Sequence, residues 1–413
     1  MLFFYNLVIH IYAFVVYLIS PFHKKARKMV AGHRQTFDIL KQKIDKDADY
    51  IWFHAASLGE FEQGRPIMEE IKRKHPEYKI LLTFFSPSGY EIRKDYPLAD
   101  VVCYLPFDKK RSVKRFLRLV KPKMAVFIKY EFWYNFVNRL YKKNIPIYMV
   151  SAIFRPSQMF FKWYGGDMRK LLKKYECICV QDNNSARLLS GINIKNVEVC
   201  GDTRFDRVLD IQKQAKQLPI AEAFERKAKA ENEHILVAGS TWPKDEDILI
   251  PYFNMTTDLK LIIAPHEINE AHLKYIESNL QRPYIRYSKA IPEMMADYDC
   301  LIIDNFGLLS SLYGYGQMAY IGGGFGVGIH NVLEAAVYNI PVIFGSNFKK
   351  FREAQHLIEQ GGGYSVPDYQ SFRGLMDEFL QYKETLDASG WHAGNYVRSN
   401  VGVVQKVMQV LDL

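Results

Sequence analysis

The sequence predicts an α/β protein of two doubly wound, Rossmann-like domains facing one another across a cleft, with a membrane-anchoring helix at the N-terminus. Its 413 residues exceed what one ordinary hydrophobic core accommodates and suggest two domains of similar size. Apolar, strand-like runs alternate with helical segments in two successive series, which is typical of parallel sheets covered on both faces. A hydrophobic content of 48% with 24% charged residues indicates a folded globular chain.

The first segment, residues 1–28, combines an apolar run with a basic flank: MLFFYNLVIHIYAFVVYLIS followed by PFHKKARK. Its charges follow the apolar run and no small-residue cleavage site is present, unlike a secretory signal. Twenty such residues just suffice to span a bilayer, and a helix lying in the interface or a buried core helix are the alternatives. We expect a membrane anchor whose basic flank keeps the next domain on the cytoplasmic side.

The N-terminal domain is expected over residues 29–210. Its predicted strands are DYIWFHAA, YKILLTFFS, VVCYLPF, KMAVFIKY, IPIYMVSA and CICVQD, and its clearest helices are FEQGRPIMEEIKRKHP and KKRSVKRFLRLVKP. The second of these helices places Val113, Phe116, Leu117 and Val120 on one face and its basic residues on the other. A helix packed on the sheet with a solvated basic face is favoured there over a lipid-binding surface.

The C-terminal domain is expected over residues 211–413. It opens with a polar, linker-like helical stretch, DIQKQAKQLPIAEAFERKAKAENE, and continues with the strands HILVAGS, LKLIIAPH, CLIIDN, MAYIGGG and IPVIFGS. Ligands of such sheets bind at the carboxyl ends of the strands, so the functional residues should lie where strands end.

Charge is distributed unevenly along the chain. Residues 1–210 contain 37 Lys and Arg against 21 Asp and Glu, whereas the remaining residues contain 18 against 24. The basic surface therefore belongs to the N-terminal half, where nucleic acid, anionic lipid or a phosphorylated substrate could be its partner. The five cysteines form no CxxC pair and no metal spacing, which favours reduced, packed thiols.

Glu60 follows a glycine turn at the end of a predicted strand, in WFHAASLGEFEQGRP. A carboxylate in the first turn of a helix is stabilised by the positive end of the helix dipole. The same position at a strand end also suits a catalytic base, and the stretch alone leaves both interpretations open.

Two strand ends of the C-terminal domain favour binding of an anion. Ser240 and Thr241 follow one strand, and a run of glycines that includes Gly324 follows another, with Glu334 one turn into the next helix. These segments allow close backbone approach to a phosphate, and the carboxylate suits ribose hydroxyls. The glycine run fits neither a dinucleotide fingerprint nor a P-loop. The acidic strings DKDAD (45–49) and KDED (244–247) are interpreted as solvated loop or first-turn charges, and no metal site is predicted.

Taken together, seven motifs resemble, in order, those of the bacterial 3-deoxy-D-manno-octulosonic acid (Kdo) transferases, glycosyltransferases of the GT-B type. They are SLGEFEQG, KYEFWYN, GDTRFD, AGSTWPKDED, LIIAPH, IIDNFGLLSSLYG and GIHNVLEAA. The resemblance implies transfer of Kdo from CMP-Kdo to a lipid A precursor (lipid IVA) with inversion, in lipopolysaccharide synthesis at the cytoplasmic face of the inner membrane. It implies CMP-Kdo, the lipid A precursor and an anionic membrane surface as partners, no nucleic acid, and no cofactor.

The resemblance also implies roles for individual residues. Glu60 matches the general base, and Glu131 and Arg204 match positions that stabilise the transition state. Carboxylates are ionised at neutral pH unless strongly shifted, and a guanidinium suits the ulosonate carboxylate or the leaving phosphate. The residues expected to bind CMP are Ser240, Thr241, Pro265, His266, Phe306, Gly307, Leu308, Gly324, Asn331, Val332, Leu333 and Glu334.

Two motifs depart from the family pattern. Pro265-His266-Glu267 stands where the family has Pro-Arg-His, and Gly307-Leu308-Leu309 stands where it has Gly-Glu-Leu. A neutral imidazole is a weaker anion ligand than a bidentate guanidinium. Asn305 or Lys349 is a candidate for compensating these losses.

Two other functions remain as alternatives. One is another GT-B enzyme, such as a UDP-sugar transferase or epimerase. The other, less favoured, is a basic membrane-associated protein that binds nucleic acid through residues 109–123, although no recognised nucleic-acid motif is present.

Overall fold

The computed structural model describes residues 2–326 and 328–413, so that Met1, the first residue of the predicted anchor, and Val327 lie outside the described residues. Within those ranges the chain forms two units, each built on a parallel seven-stranded sheet. The predicted α/β class with two doubly wound domains is confirmed.

The strands of the first unit have the order β3-β2-β1-β4-β5-β6-β7, and those of the second have the order β10-β11-β9-β8-β12-β13-β14. Their bounds are β1 (Tyr50–Ala55), β2 (Lys79–Phe84), β3 (Val101–Tyr104), β4 (Met124–Ile128), β5 (Ile147–Ala152), β6 (Cys177–Val180), β7 (Val197–Val199), β8 (His234–Thr241), β9 (Leu259–Pro265), β10 (Tyr284–Arg286), β11 (Cys300–Ile302), β12 (Met318–Ile321), β13 (Val342–Gly345) and β14 (Gly363–Val366).

The helices connect and cover these strands. Their bounds are α1 (Leu2–Ile19), α2 (Lys24–Lys43), α3 (Leu58–Lys74), α4 (Pro87–Arg93), α5 (Lys110–Leu119), α6 (Tyr134–Tyr141), α7 (Gly166–Leu172), α8 (Asn183–Ser190), α9 (Arg204–Lys213), α10 (Pro219–Glu231), α11 (Pro243–Met255), α12 (Glu270–Asn279), α13 (Leu309–Leu312), α14 (Leu333–Ala336), α15 (Arg352–Glu359), α16 (Tyr369–Gln381), α17 (Lys383–Arg398) and α18 (Val403–Val410). Short 3-10 helices lie at Met159–Phe161, Tyr287–Lys289, Pro292–Asp297 and Tyr313–Tyr315.

The sheet of the first unit is buried on both faces because its strands alternate between two apolar layers. In β1, Trp52 packs with Phe116 of α5 on one face, whereas Ile51 and Phe53 pack with the layer that contains Phe61 of α3 on the other. As predicted, α5 buries Val113, Phe116 and Leu117 and leaves its lysines in solvent.

The two units divide the chain at Asp206, and residues Gly402–Leu413 belong to the first unit. The sequence placed the boundary at residue 210 and assigned the C-terminal residues to the second domain, so the structure differs at that end. The reason is that the apolar face of α18 packs into the α3 layer of the first unit. The Asp206 carboxylate also accepts hydrogen bonds from the backbone N–H groups of Gly402, Val403 and Val404.

The N-terminal helix α1 lies on the surface of the first unit. Among its described side chains, Ala13 and Val16 are buried, while Phe3, Phe4 and Phe14 are between 66% and 74% exposed. A buried core helix, one of the three alternatives, is therefore wrong for this segment. No single helix of the described chain has the length and apolarity to cross a bilayer, although α1 and α2, bent by 116°, pass that test as a pair.

Candidate active site

Glu60 lies in the first turn of α3, directly after β1. Ser57 is the N-cap residue but makes no side-chain cap hydrogen bond. Instead, the Glu60 carboxylate reaches back and accepts a hydrogen bond from the Ala56 N–H at 2.5 Å. The strand end and the helix start thus hold Glu60 in one orientation, half-buried at the edge of the sheet.

Glu131 is buried in the loop after β4, the strand that neighbours β1. Its Oε2 accepts a hydrogen bond from Trp133 Nε1 at 2.6 Å and lies 3.1 Å from His54 Nε2. Because β1 and β4 are adjacent and parallel, their carboxyl ends bring His54, Glu60 and Glu131 to the same edge of the sheet.

The two glutamates interact electrostatically. Burial, and secondly the charge of Glu131, raise the pKa of Glu60 to about 7. The Ala56 N–H and Lys129 act in the opposite direction and limit that rise. Glu60 is therefore a carboxylate that exchanges its proton near neutral pH, which is the property that a general base requires.

Arg204, the first residue of α9, is held by a buried carboxylate. Its Nε and Nη2 donate to Asp202 Oδ2 at 2.9 and 2.7 Å. Asp202 also accepts a hydrogen bond from Gln63 of α3, and Thr203 Oγ1 donates to the Gln63 carbonyl at 2.6 Å. The segment that carries Arg204 is thus tied directly to the helix that carries Glu60.

In the second unit, the predicted donor-binding residues follow four strands that are neighbours in the sheet, β11, β9, β8 and β12. Ser240, near the end of β8, has a left-handed backbone with φ 55°. The Thr241 carbonyl accepts a hydrogen bond from the His266 N–H at 2.9 Å, and Thr241 Oγ1 donates to Glu246. The Thr241 side chain is therefore buried and already hydrogen-bonded within the protein, and the Pro265 side chain is buried as well.

Three aromatic rings stack at this edge of the second unit. The His266 ring lies 4.7 Å from Trp242 and 4.5 Å from His330, measured between ring centroids. Within the described part of the chain, the buried atoms Trp242 Nε1 and His330 Nε2 have no hydrogen-bond partner. Burial, and secondly His266, lower the pKa of His330. Buried polar atoms without a partner are uncommon in native proteins, so these two atoms mark the ring stack as a place of interest.

The glycine-rich loop after β12 is fixed by Asp245, which is 1% exposed. Its carboxylate accepts hydrogen bonds from Gly323 N–H, Trp242 N–H and Tyr320 Oη at 2.8 to 2.9 Å. Gly323 has a φ of +91°, which favours glycine, and a side chain on Gly324 would collide with the backbone of Gly345. Asp245 and Glu246 of KDED are first-turn charges of α11, as predicted, but both are buried and hydrogen-bonded rather than solvated. The DKDAD aspartates are exposed, as predicted.

Residues 331–334 combine two half-buried polar residues with two buried apolar residues. Asn331 Oδ1 accepts from Leu333 N–H, and Asn331 Nδ2 donates to Glu334 Oε1 at 3.0 Å. Val332 and Leu333 are fully buried, so only their backbone groups are suited to contact a ligand.

The loop with Phe306, Gly307 and Leu308 follows β11 at the same edge. The Phe306 side chain is 80% exposed, and Gly307 has a φ of +80°. No hydrogen bond in the described chain joins these three residues to the ring stack.

Several residues of these sites were not assigned from the sequence. Four such residues lie within the quoted motifs or beside a predicted strand end: His54, Trp242, Asp245 and His330. These positions in the sequence could have marked them as candidate site residues. Their partners are far away in sequence, and hydrophobic periodicity carries no information on such pairings. Among the described residues, no group of three or more His, Cys, Asp or Glu side chains is arranged to hold a metal ion.

Comparison with known proteins points to one family. A sequence profile of the 3-deoxy-D-manno-octulosonic-acid transferases (kdotransferases) matches residues 31–207. A 3-deoxy-D-manno-octulosonic acid transferase of Aquifex aeolicus (strain VF5) is 29% identical over 363 residues, which cover 85% of this chain and 93% of that protein. The protein so named from Haemophilus influenzae (strain Rd) is 24% identical, with 87% and 86% covered. The chain is thus similar over most of its length to Kdo transferases.

The Kdo transferase assignment makes the protein a glycosyltransferase. Solved structures agree on the fold. UDP-GlcNAc 2-epimerase of Neisseria meningitidis superposes with a TM-score of 0.58 at 14% identity, covering 86% of this chain and 100% of the epimerase. MurG of Acinetobacter baumannii superposes with a TM-score of 0.57 at 9% identity, covering 88% and 99%. At these identities the likeness shows the fold alone.

Proposed function

We propose that this Kdo transferase moves Kdo from CMP-Kdo to a lipid A precursor, lipid IVA, with inversion and with Glu60 as the general base. The observation that carries the proposal is the position of Glu60, which the Ala56 N–H holds at the carboxyl end of β1, beside the strand β4 that leads to Glu131. Burial and the charge of Glu131 raise the pKa of Glu60 to about 7. A base of this strength is partly ionised at neutral pH and still has substantial affinity for the proton of an attacking hydroxyl.

The proposed reaction is a single displacement. The acceptor hydroxyl attacks the anomeric carbon of Kdo as Glu60 removes its proton, and the bond from that carbon to the CMP phosphate breaks. One base suffices for inversion, so the scheme needs no second carboxylate as nucleophile. CMP leaves with the bonding electron pair on its phosphate oxygen.

Glu131 and Arg204 are proposed to stabilise the transition state. The Glu131 carboxylate suits the positive charge that develops on the anomeric centre, and its repulsion of the Glu60 carboxylate increases the basicity of Glu60. Arg204, oriented by Asp202, suits the ulosonate carboxylate or the departing phosphate.

The second unit is proposed to bind the donor. The ring stack offers aromatic surface to a nucleotide, and the Asp245-fixed glycine loop permits close approach of a phosphate. His266 takes the place of the family arginine, and its stacking between Trp242 and His330 keeps it at the strand end.

The membrane attachment is proposed to use α1 and the basic start of α2 at the cytoplasmic face of the inner membrane. Exposed apolar side chains of α1 are followed by Lys24, Lys25, Arg27 and Lys28, a combination suited to an anionic interface. An amphiphilic acceptor would then reach Glu60 without leaving the bilayer surface.

The test is a reaction with defined substrates. The purified protein is incubated with CMP-Kdo and a tetra-acylated lipid A precursor, and the products are analysed by mass spectrometry. Addition of one or more Kdo masses and release of CMP are expected. A parallel incubation with UDP-N-acetylglucosamine should give neither transfer nor epimerisation, and turnover of that donor without turnover of CMP-Kdo would refute the proposed donor.

A further inference from the structure

A cavity of about 440 Å³ opens between α5 and α6 on the first unit. It is separate from the strand-end site, because neither Glu60 nor Glu131 lines it. Its polar lining consists of four cationic and two amide side chains: Lys110, Lys114, Arg139, Lys142, Asn135 and Asn138. No carboxylate is among its lining residues.

The four cations of this cavity are not neutralised by the protein. Across residues 2–326 and 328–413, no ion pair joins Lys110, Lys114, Arg139 or Lys142 to a carboxylate, although many other surface lysines and arginines make one. The buried Nε of Arg139 has no hydrogen-bond partner in the described chain. The polar lining therefore presents positive charge without a carboxylate to neutralise it.

The arrangement is electrostatically unfavourable when empty. Lys110 and Lys114 are four residues apart on α5, so their like charges repel on one helix face. A fifth cation, Lys174, donates to Asn138 Oδ1, and burial together with Lys142 lowers the pKa of Lys174. A bound anion would relieve this repulsion, and the guanidinium fork of Arg139 is suited to the oxygen atoms of a phosphate.

The cavity adjoins the exposed N-terminal helix. Tyr134, which lines it, packs on Tyr5 of α1 with ring centroids 5.4 Å apart, and Asn135 Nδ2 donates to Asn6 Oδ1 at 2.9 Å. Phe3 and Phe4, one turn away on α1, are 74% and 67% exposed. Because exposed apolar side chains adjoin a cavity lined by cations, we expect its anion to belong to an amphiphile.

We infer that the cavity between α5 and α6 binds the phosphate group of a lipid headgroup at the membrane surface. Apolar side chains of α1 enter the interface while the lysines and Arg139 take the phosphate. The inference rests on the proposed membrane attachment and is independent of the proposed reaction, donor and base.

The test is vesicle co-flotation of the full-length protein without donor or acceptor. Vesicles of phosphatidylcholine are compared with vesicles of phosphatidylcholine and phosphatidic acid, whose headgroup is a phosphomonoester. The variant K110Q/K114Q/K142Q changes only exposed side chains, so its folding should be unaffected. Because each cation at an anionic surface contributes substantially, we expect its affinity for phosphatidic acid vesicles to fall about a hundredfold.

A matched control removes the same charge elsewhere on the first unit. Lys43, Lys46 and Lys195 are exposed and do not line the cavity, so K43Q/K46Q/K195Q should weaken binding less than about threefold. Equal losses in the two triple variants would mean diffuse charge attraction and would overturn the inference. Equal binding by the wild type to both vesicle types, or no loss in the cavity variant, would overturn it as well.

A second arm separates a lipid headgroup from free phosphate. Inorganic phosphate is titrated into the wild type and the cavity variant by calorimetry. Weak or no binding of inorganic phosphate, with strong cavity-dependent binding of phosphatidic acid vesicles, supports the lipid source. Tight phosphate binding that the cavity variant loses, without any effect of the variant on vesicle binding, would overturn it. Kdo transfer is measured separately, so failure of the proposed function does not change either result.

Discussion

His54 Nε2 lies 3.1 Å from Glu131 Oε2, and both side chains are buried. Behind the imidazole, His54 Nδ1 lies 2.9 Å from Thr83 Oγ1, which accepts a hydrogen bond from Trp52 Nε1 at 2.8 Å. His54 Nδ1 also lies 3.1 Å from the Thr83 carbonyl, and the Thr83 hydroxyl donates to the Phe53 carbonyl at 3.3 Å. The imidazole is therefore held from behind by Thr83, and its Nε2 orients one oxygen of the Glu131 carboxylate.

Replacing His54 should lower turnover through Glu131. In His54→Phe the Glu131 carboxylate loses a donor, and we expect kcat to fall about tenfold to a hundredfold while KM for CMP-Kdo changes little. His54→Gln, whose amide can still donate, should recover part of that loss. Steady-state kinetics of Kdo transfer, with thermal unfolding as the folding control, provide the measurement. A rise in KM at constant kcat would show that His54 does not act through Glu131.

Removing the charge of Glu131 should move the acidic limb of the pH profile. The active base is the Glu60 carboxylate, so with a pKa of about 7 the rate rises as pH increases through 7. Glu131 raises that pKa by repulsion, and Glu131→Gln should therefore lower it and shift the limb to lower pH. The readout is the midpoint of kcat against pH, which is independent of any loss in maximal rate. An unchanged midpoint would contradict the electrostatic coupling.

Glu60→Gln should abolish Kdo transfer, because an amide cannot accept the acceptor proton. CMP affinity, measured by calorimetry, should stay within about twofold of the wild type, since the proposed donor site is in the second unit. The matched control is Glu62→Gln, the same substitution two residues along α3, where the carboxylate pairs with Arg93 at the surface. Retained turnover of Glu60→Gln in a radiolabelled-donor assay would exclude Glu60 as the base.

The strands that the sequence did not predict share a position. β7, β10 and β14 lie at sheet edges and have three or four residues each, whereas the predicted strands include every interior one. Interior parallel strands are buried on both faces and stand out as continuous apolar runs. The three unpredicted edge strands bury less, as β10 shows with Ile285 as its one buried residue, so their sequences resemble loops. The edge strand β3 is buried at all four residues and was predicted.

Part of the candidate site could also be predicted from the positions of the strands. Residues at strand ends, such as Glu60 and Ser240, follow from the rule that parallel sheets bind ligands at their carboxyl ends. The contact of His54 with Glu131 and the stacking of His266 between Trp242 and His330 depend on tertiary pairing. The basic cavity likewise combines residues of α5 and α6. The sequence of each helix alone indicates only a charged face in contact with solvent.

Asp245 should be required both for stability and for donor binding. Asp245→Ala leaves the buried N–H groups of Gly323 and Trp242 and the Tyr320 hydroxyl without their acceptor, which we expect to cost about 2–4 kcal/mol in the free energy of unfolding. CMP binding should weaken as the glycine loop loosens. Asp247→Ala removes an exposed carboxylate of the same helix and should cost less than about 1 kcal/mol. Equal unfolding free energies for the two variants, from urea titration, would contradict this role.

The exposed face of α1 should determine membrane affinity independently of the fold. Phe3, Phe4, Phe14 and Leu18 are 62% to 74% exposed, so replacing all four by Ser removes little packing from the first unit. Transfer of such side chains into an interface is favourable in proportion to their apolar area, and we expect vesicle affinity to fall at least about a hundredfold.

The control replaces four exposed apolar residues outside α1 by Ser, namely Ile92, Met255, Ile291 and Trp391. Co-flotation with phosphatidylcholine and phosphatidic acid vesicles is compared with the melting temperature of each variant. Because α1 joins a row of exposed apolar residues to a basic flank, whereas the four control residues are scattered along the chain, the control variant should bind vesicles as the wild type does. Loss of binding in both variants would show that the attachment is spread over the surface, and loss in neither would show that α1 does not attach the protein to the membrane.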